Sequence, residues 1–185
     1  MLMNKDIESV LVDEKQLDEI TTRLAAEIDR DYQDTGRPLV MVCILKGSVM
    51  FYTDLIKKIR RPVEMEFMKV SSYGAGTASS GCINLHLDIK RNDYERLDIV
   101  IVEDIIDSGR TLMMLTGLLR DRHAFSVRSC TMLDKPARRE VDYTPDYCGV
   151  QIPDQFVVGY GLDYNEYYRD LPFVGILKPE VYTKS

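Results

Sequence analysis

Between Ile101 and Leu112 the chain reads IVEDIIDSGRTL, with the carboxylates Glu103, Asp104 and Asp107 followed at once by the small residues Ser108, Gly109 and Thr111. The apolar run Ile99 to Val102 predicts a buried strand ended by Glu103 and Asp104. Leu112, Leu115 and Leu119 recur at helical spacing and predict a helix from near Ser108 to about Arg122. A helix start presents free backbone N–H groups and the positive end of its dipole, and Gly109 lets backbone approach a ligand closely, so the position suits a phosphate. The acids oppose that: two like charges about 4 Å apart cost about 4 kcal/mol at an effective dielectric of 20. A bare polyphosphate would be repelled. Carboxylates beside a phosphate cradle make chemical sense where the ligand brings sugar hydroxyls, magnesium or a base N–H proton. A phosphorylated sugar joined to pyrophosphate fits that demand better than a helix cap facing water, because the apolar strand leads straight into the acids.

The elements that must hold this segment follow from periodicity. Asp13 and Gln16 mark a helix start, and Leu17, Ile20, Leu24 and Ile28 form one face of a helix that Gly36 and Pro38 stop. Leu39 to Leu45 is continuously apolar, as in a strand covered on both faces, and Lys46-Gly47 ends it. A short helix over 48–58 follows, then a strand in which Val63, Met65 and Phe67 alternate with Glu64, Glu66 and Met68. Residues 71–81, almost all Ser, Gly, Ala and Thr around Tyr73, form a mobile loop leading into a second alternating strand at Ile83, Leu85 and Leu87. Val127 to Leu133 and Phe156 to Tyr160 are further strands, joined by a polar, Pro-containing connection over 134–155. Strand and helix in alternation give an α/β fold: a mostly parallel, twisted sheet flanked by helices on both faces, with ligands at the carboxyl ends of its strands. At 185 residues, without repeat or linker, the chain reads as one domain over 1–185.

Composition removes several classes of function. A net charge of −6 opposes broad attraction to nucleic acid or anionic membrane. The four cysteines, Cys43, Cys82, Cys130 and Cys148, lack CxxC spacing and read as reduced packing residues of a cytoplasmic protein. Acids interrupt the apolar residues of the N-terminus, so no signal-peptide core forms, and no stretch has the length of a membrane span. GxxxxGK[ST] is absent, and the Gly74/Gly76 loop precedes a strand, so neither an ATPase nor a dinucleotide-dependent dehydrogenase fits.

VEDIIDSGRTL resembles the phosphoribosyl pyrophosphate signature of the type I phosphoribosyltransferases. LKGS (45–48), SSYG (71–74), LDKP (133–136) and FVVGYGLDYNEYYRDLP (156–172) resemble, in order, segments of the hypoxanthine-guanine members of that family. The resemblance implies a small hood subdomain and a flexible lid. It also implies magnesium as cofactor and a reaction between phosphoribosyl pyrophosphate and hypoxanthine or guanine that yields IMP or GMP. In that frame Glu103 and Asp104 bind the ribose hydroxyls and, with Asp163, the metal. Asp107, Ser108, Gly109, Arg110 and Thr111 wrap the 5′-phosphate, and Asp107 accepts the purine proton as catalytic base. Lys46-Gly47, in a loop that often carries a cis peptide, and Arg169 hold pyrophosphate. Lys135 donates to the 6-oxo group, Phe156 stacks on the purine, the Val157 backbone reads its edge, and Ser72 and Tyr73 belong to the lid.

The same scaffold serves other bases, xanthine among them, and some members of the fold bind RNA and regulate transcription; the acidic charge weighs against RNA. A homodimer or homotetramer is the assembly the resemblance implies.

Overall fold

The computed structural model describes residues 5–72 and 83–183. Beyond its first two positions, the expected lid, Tyr73 included, lies outside them, as does Cys82.

Strand β1 (Ile7–Val12) is followed by helix α1 (Glu14–Tyr32). The start of α1 is fixed as its sequence implies: the Gln16 N–H donates to the Asp13 carboxylate (2.8 Å) and the Asp13 N–H to the Gln16 side chain (2.9 Å). Leu17, Leu24 and Ile28 then fall on one buried face. Strand β2 (Leu39–Leu45), helix α2 (Val49–Lys58), strands β3 (Glu64–Ser72) and β4 (Ile83–Leu87), strand β5 (Asp98–Ile106), helix α3 (Arg110–Asp121) and strands β6 (Ser126–Asp134) and β7 (Tyr147–Gln151) build a six-stranded sheet in the order β4-β3-β2-β5-β6-β7. Its pairs are parallel except β3 with β4.

Strand alternation divides the core in two. Leu39, Met41 and Cys43 of β2 face Leu24, Phe51 and Leu55 of α1 and α2, while Val40, Val42 and Ile44 face Leu112, Leu115 and Leu119 of α3. Burying one such side chain contributes about 1.5–3 kcal/mol, so both helical layers are held firmly. A second, three-stranded sheet, β1-β9-β8, closes over one end with strands β8 (Val157–Val158) and β9 (Val174–Leu177), and helix α4 (Pro179–Tyr182) ends the described chain. This small sheet is the expected hood. Among the described residues no helix is long and apolar enough to cross a membrane, and Cys43, Cys130 and Cys148 are free thiols.

Four sequence expectations need correction. The strand through Val102 does not stop at Glu103: β5 keeps its ladder with β6 through Ile105–Leu133 and Ile106–Asp134. Helix α3 begins at Arg110, because Ser108 and the left-handed Gly109 (φ 83°) precede it. The connection 134–155 contains β7, an edge strand flanked by Pro145 and Pro153 whose pattern gives no clear alternation. The strand expected over 156–160 shrinks to Val157–Val158, since Gly159, Tyr160 and Gly161 all take positive φ.

The sheet order places the site. From β2 the chain winds through α2 to β3 on one side; from β5 it winds through α3 to β6 on the other. The crevice between the carboxyl ends of β2 and β5 is therefore a switch point, where α/β sheets bind ligands. Pairing of β2 with β5 ends at Cys43–Val102, which leaves Glu103 and Asp104 without a strand on that flank.

Arg122, the C-cap of α3, anchors the flap strand by a two-pronged pair with Asp88 (2.7 and 2.6 Å), and this guanidinium holds the Asp88 carboxyl below its ordinary range. A depressed carboxylate stabilises the fold above its unfolded pKa and stops doing so as pH falls through the folded value. Asp88→Asn should therefore cost up to about 1 kcal/mol at pH 7, given the partial exposure of the pair. In thermal melts the gap from the parent should close below about pH 4.

Candidate active site

The loop from Asp107 to Gly109 carries the chain from β5 into α3, whose first N–H groups have no intrahelical acceptors. The Gly109 N-cap offers no side chain to take them, though the Arg110 N–H reaches the Ser108 hydroxyl (3.3 Å). A Cβ at Gly109 would sit 3.0 Å from Arg139 Cδ and 3.1 Å from Val141, in a left-handed conformation as well, so the position requires glycine. Asp107, Ser108, Gly109 and Thr111 line a cavity of about 240 Å³ together with Glu103. Arg110 is the exception: its side chain turns out to Glu140 (2.6 Å), so only its backbone serves the loop. A larger cavity of about 390 Å³ between α1, α2 and the loop 160–172 includes Arg169, but the helix start in its wall, that of α1 at Glu14, is already capped by Asp13 and flanked by the acids Glu14 and Asp18. The smaller cavity, at a glycine N-cap, suits an anion better.

Glu103 and Asp104 sit at the crevice in low-dielectric surroundings. Burial first, then the charge of Asp104, pushes the Glu103 carboxyl well above its ordinary range; burial also raises Asp104, with the Ile105 N–H (2.7 Å) as a partial compensation. Glu103 Oε2 is buried without a hydrogen-bond partner. Such an acceptor costs about 1–3 kcal/mol or more and marks a place where a donor or cation belongs.

Across the crevice Gly47 packs so closely on Asp104 that a Cβ there would overlap its carboxylate, and the Gly47 carbonyl is in turn covered by Gly161. The non-proline cis peptide lies between Leu45 and Lys46, one bond before the peptide to which the sequence pointed. The loop after Gly161 supplies the rest. Arg169 donates to the Gly161 carbonyl (2.8 Å) and pairs with Asp163 (2.8 Å), yet its Nε is buried without a partner. Glu166 stands between the two cations, 3.0 Å from Lys46 Nζ and 3.2 Å from Arg169, and they hold its carboxyl below the usual range.

Among the described residues no three His, Cys, Asp or Glu side chains converge as a metal cage. Glu103, Asp104 and Asp163 do not form a three-carboxylate set. The orphaned, buried Glu103 oxygen and the half-buried acidic pair nevertheless fit one hard cation completed by substrate oxygens and water, the usual way magnesium is held.

Beyond the crevice, Lys135 at the end of β6 is 8% exposed and donates to the Gln155 carbonyl (2.9 Å), next to Phe156 and Val157. Val157 is buried in the main core, whereas Phe156 remains 37% exposed. Ser72, the last residue of β3, pairs with Ile83, the first of β4.

A model of the phosphoribosyl transferase domain matches residues 10–165. The chain belongs to the phosphoribosyltransferase family. Among its relatives, a hypoxanthine-guanine phosphoribosyltransferase of Staphylococcus aureus is 48% identical over 98% of this chain and 99% of its own. The bifunctional protein TilS/HprT of Listeria monocytogenes is 48% identical over 98% of this chain, which spans only 28% of that protein's length. Two solved structures have the same fold. A hypoxanthine phosphoribosyltransferase of S. aureus superposes with a TM-score of 0.91 at 47% identity, covering 98% of this chain and 97% of that one. One of Trypanosoma cruzi gives 0.93 at 38%, covering 99% and 97%.

The candidate residues fall into three groups: the 107–111 cradle with Glu103 and the Lys46-Gly47 loop with Asp104, Asp163 and Arg169 at the crevice, and Lys135 with Phe156 and Val157 beyond it. Sequence reasoning missed Arg139, which donates to the Asp107 carbonyl (2.5 Å) and pairs with the buried Asp134 (2.5 Å), tying the phosphoribosyltransferase cradle to the strand that carries Lys135. Nothing in an Arg pair within a polar connection signals a partner 32 residues back. Glu166 was missed too, as an ordinary loop acid.

Removing the Glu103 charge should stabilise the free protein. A carboxyl with a raised folded pKa favours folding below its unfolded value and loses that contribution as pH rises. Glu103→Gln is therefore expected to melt higher than the parent at pH 7–8 by roughly 2–4 °C, about 1 kcal/mol for a domain of this size. The gain should vanish near pH 4, where the parent carboxyl is protonated.

Proposed function

We propose that the chain transfers the 5-phosphoribosyl group from phosphoribosyl pyrophosphate to hypoxanthine or guanine, giving IMP or GMP and pyrophosphate. The observation that supports this most strongly is the half-buried Glu103–Asp104 pair, with one buried, unpartnered Glu103 oxygen, beside a glycine-capped helix start. A pentose phosphate satisfies both halves at once.

In this reading the N–H groups at the start of α3, with Ser108 and Thr111, take the 5′-phosphate, and Glu103 and Asp104 accept from the ribose hydroxyls. Glu103 and Asp104 would hold magnesium together with substrate oxygens, while Asp163, paired with Arg169 instead of joined to them, stays with the pyrophosphate loop; the bound ion would supply positive charge against the departing diphosphate. Arg169, with its buried unpaired Nε, and Lys46 hold that leaving group once Glu166 yields the two cations to it. As pyrophosphate departs and the sugar carbon gains oxocarbenium character, the purine nitrogen attacks from the other side. Asp107, at the mouth of the cradle, accepts the purine proton. Lys135 donates to the 6-oxo group while Phe156 stacks on the ring. An adenine amino group would set donor against donor, at about 1–3 kcal/mol for each unpaired buried group.

The direct test incubates the protein with phosphoribosyl pyrophosphate, magnesium and each common base in turn. IMP and GMP should form, whereas adenine, orotate and uracil should give no nucleotide; a preference for any of those three would overturn the assignment. Asp107→Asn is expected to lower kcat about 100-fold or more with little change in affinity for the sugar donor. Unchanged turnover would remove it as the base. Lys135→Ala should lower kcat/KM for hypoxanthine and guanine by about 10- to 150-fold, the range of a hydrogen bond to a charged group. Unchanged kcat/KM for both oxopurines would refute its role.

A further inference from the structure

Phe156 does not stand alone. Its ring lies on that of Tyr182, centroids 4.8 Å apart and planes 19° from parallel, and meets Tyr164 at 5.7 Å and 87°. Tyr182 belongs to α4, the last helical turn of the described chain, and packs with Tyr164, Tyr168 and Leu171 against the hood cluster of Val158, Phe173 and Leu177. That turn is fixed at its root. The Leu177 N–H donates to the Phe156 carbonyl (2.9 Å), the Lys178 N–H to the Asp6 carbonyl (3.0 Å), and the Tyr168 hydroxyl to the Asp6 carboxylate (3.0 Å). One bond thus sets the backbone of Phe156 from β9, and one stacked ring sets the tilt of its side chain from α4. Phe156 is still 37% exposed, so aromatic surface remains for a third ring.

We propose that Tyr182 is a positioning residue for the purine: it holds the Phe156 ring at the angle at which a flat base stacks on it, so that base, Phe156 and Tyr182 form a graded stack rooted in the hood. A Phe opening a strand otherwise has free χ1 and χ2 rotation, and ordering it on binding would subtract from affinity. The inference rests on the reading of Phe156 as the base-stacking ring.

Steady-state kinetics on Tyr182→Leu, Tyr182→Phe and Phe156→Leu, with melting temperatures measured alongside, tests it. Tyr182→Leu is expected to raise KM for hypoxanthine and guanine by about 2- to 12-fold, the worth of an aromatic pair, with KM for phosphoribosyl pyrophosphate unchanged. Tyr182→Phe should restore parental values, since the stack needs a ring and not the hydroxyl. If Phe156→Leu raises the base KM but Tyr182→Leu does not, Tyr182 is only packing and the inference falls by itself. If Phe156→Leu leaves the base KM unchanged, the stacking assignment falls and takes the inference with it. A lower base KM in Tyr182→Leu would show Tyr182 competing for the purine's place, and would overturn the proposal. Equal rises in both substrates' KM with a lower melting temperature would do the same.

Discussion

Two half-buried carboxyls, side by side at the point where the sheet reverses its winding, are the constraint around which this protein is arranged. Neither Glu103 nor Asp104 gains stability for the free chain by being there: burial raises both, and one Glu103 oxygen has no partner. Their place is kept by what surrounds them. The β5–β6 ladder extends past them, the α1/α2 and α3 layers clamp β2 and β5, and the glycine at 47 admits the Asp104 side chain where any Cβ would collide. The cost of an unsatisfied carboxylate is spread over a firm core, so the crevice stays open instead of collapsing onto itself.

The same division between a costly centre and a supporting shell runs through the rest of the crevice. Arg169 keeps a buried, unpaired Nε while Asp163 and the Gly161 carbonyl fix its other nitrogens. Glu166 occupies Lys46 and Arg169 together, as an anion would. Arg139 joins the phosphate cradle to the Asp134–Lys135 strand end, and the hood joins Phe156 to both termini through β9 and β1. Groups that would bind the phosphate, the leaving diphosphate and the base are thus mechanically connected through short polar links.

What could be read from the sequence was whatever is local. The Asp13–Gln16 capping box and the doubly buried run of β2 announce themselves through spacing and stand at the expected places, and the acids followed by Ser-Gly at 103–109 are legible as a strand-to-helix junction, though its bounds fall at Ile106 and Arg110. What could not be read depends on long-range pairing. The ladder that carries β5 past Glu103 is set by β6, and β7 is a strand only because it lies against β6. The hood exists because β1 meets β9 across most of the chain's length. Arg139, Glu166 and Tyr182 escaped for the same reason: their partners are Asp107, Lys46 and Phe156, none within reach of a periodicity argument.

Isothermal titration of the protein with phosphoribosyl pyrophosphate, with and without magnesium, tests the central claim most directly. If the acidic pair is completed by a pentose and a divalent ion, binding is tight with the metal present and weakened at least tenfold by its removal, and the parent's advantage over Glu103→Gln appears only with metal. Affinity that is indifferent to both magnesium and the Glu103 charge, or no heat of binding at all, would contradict the account.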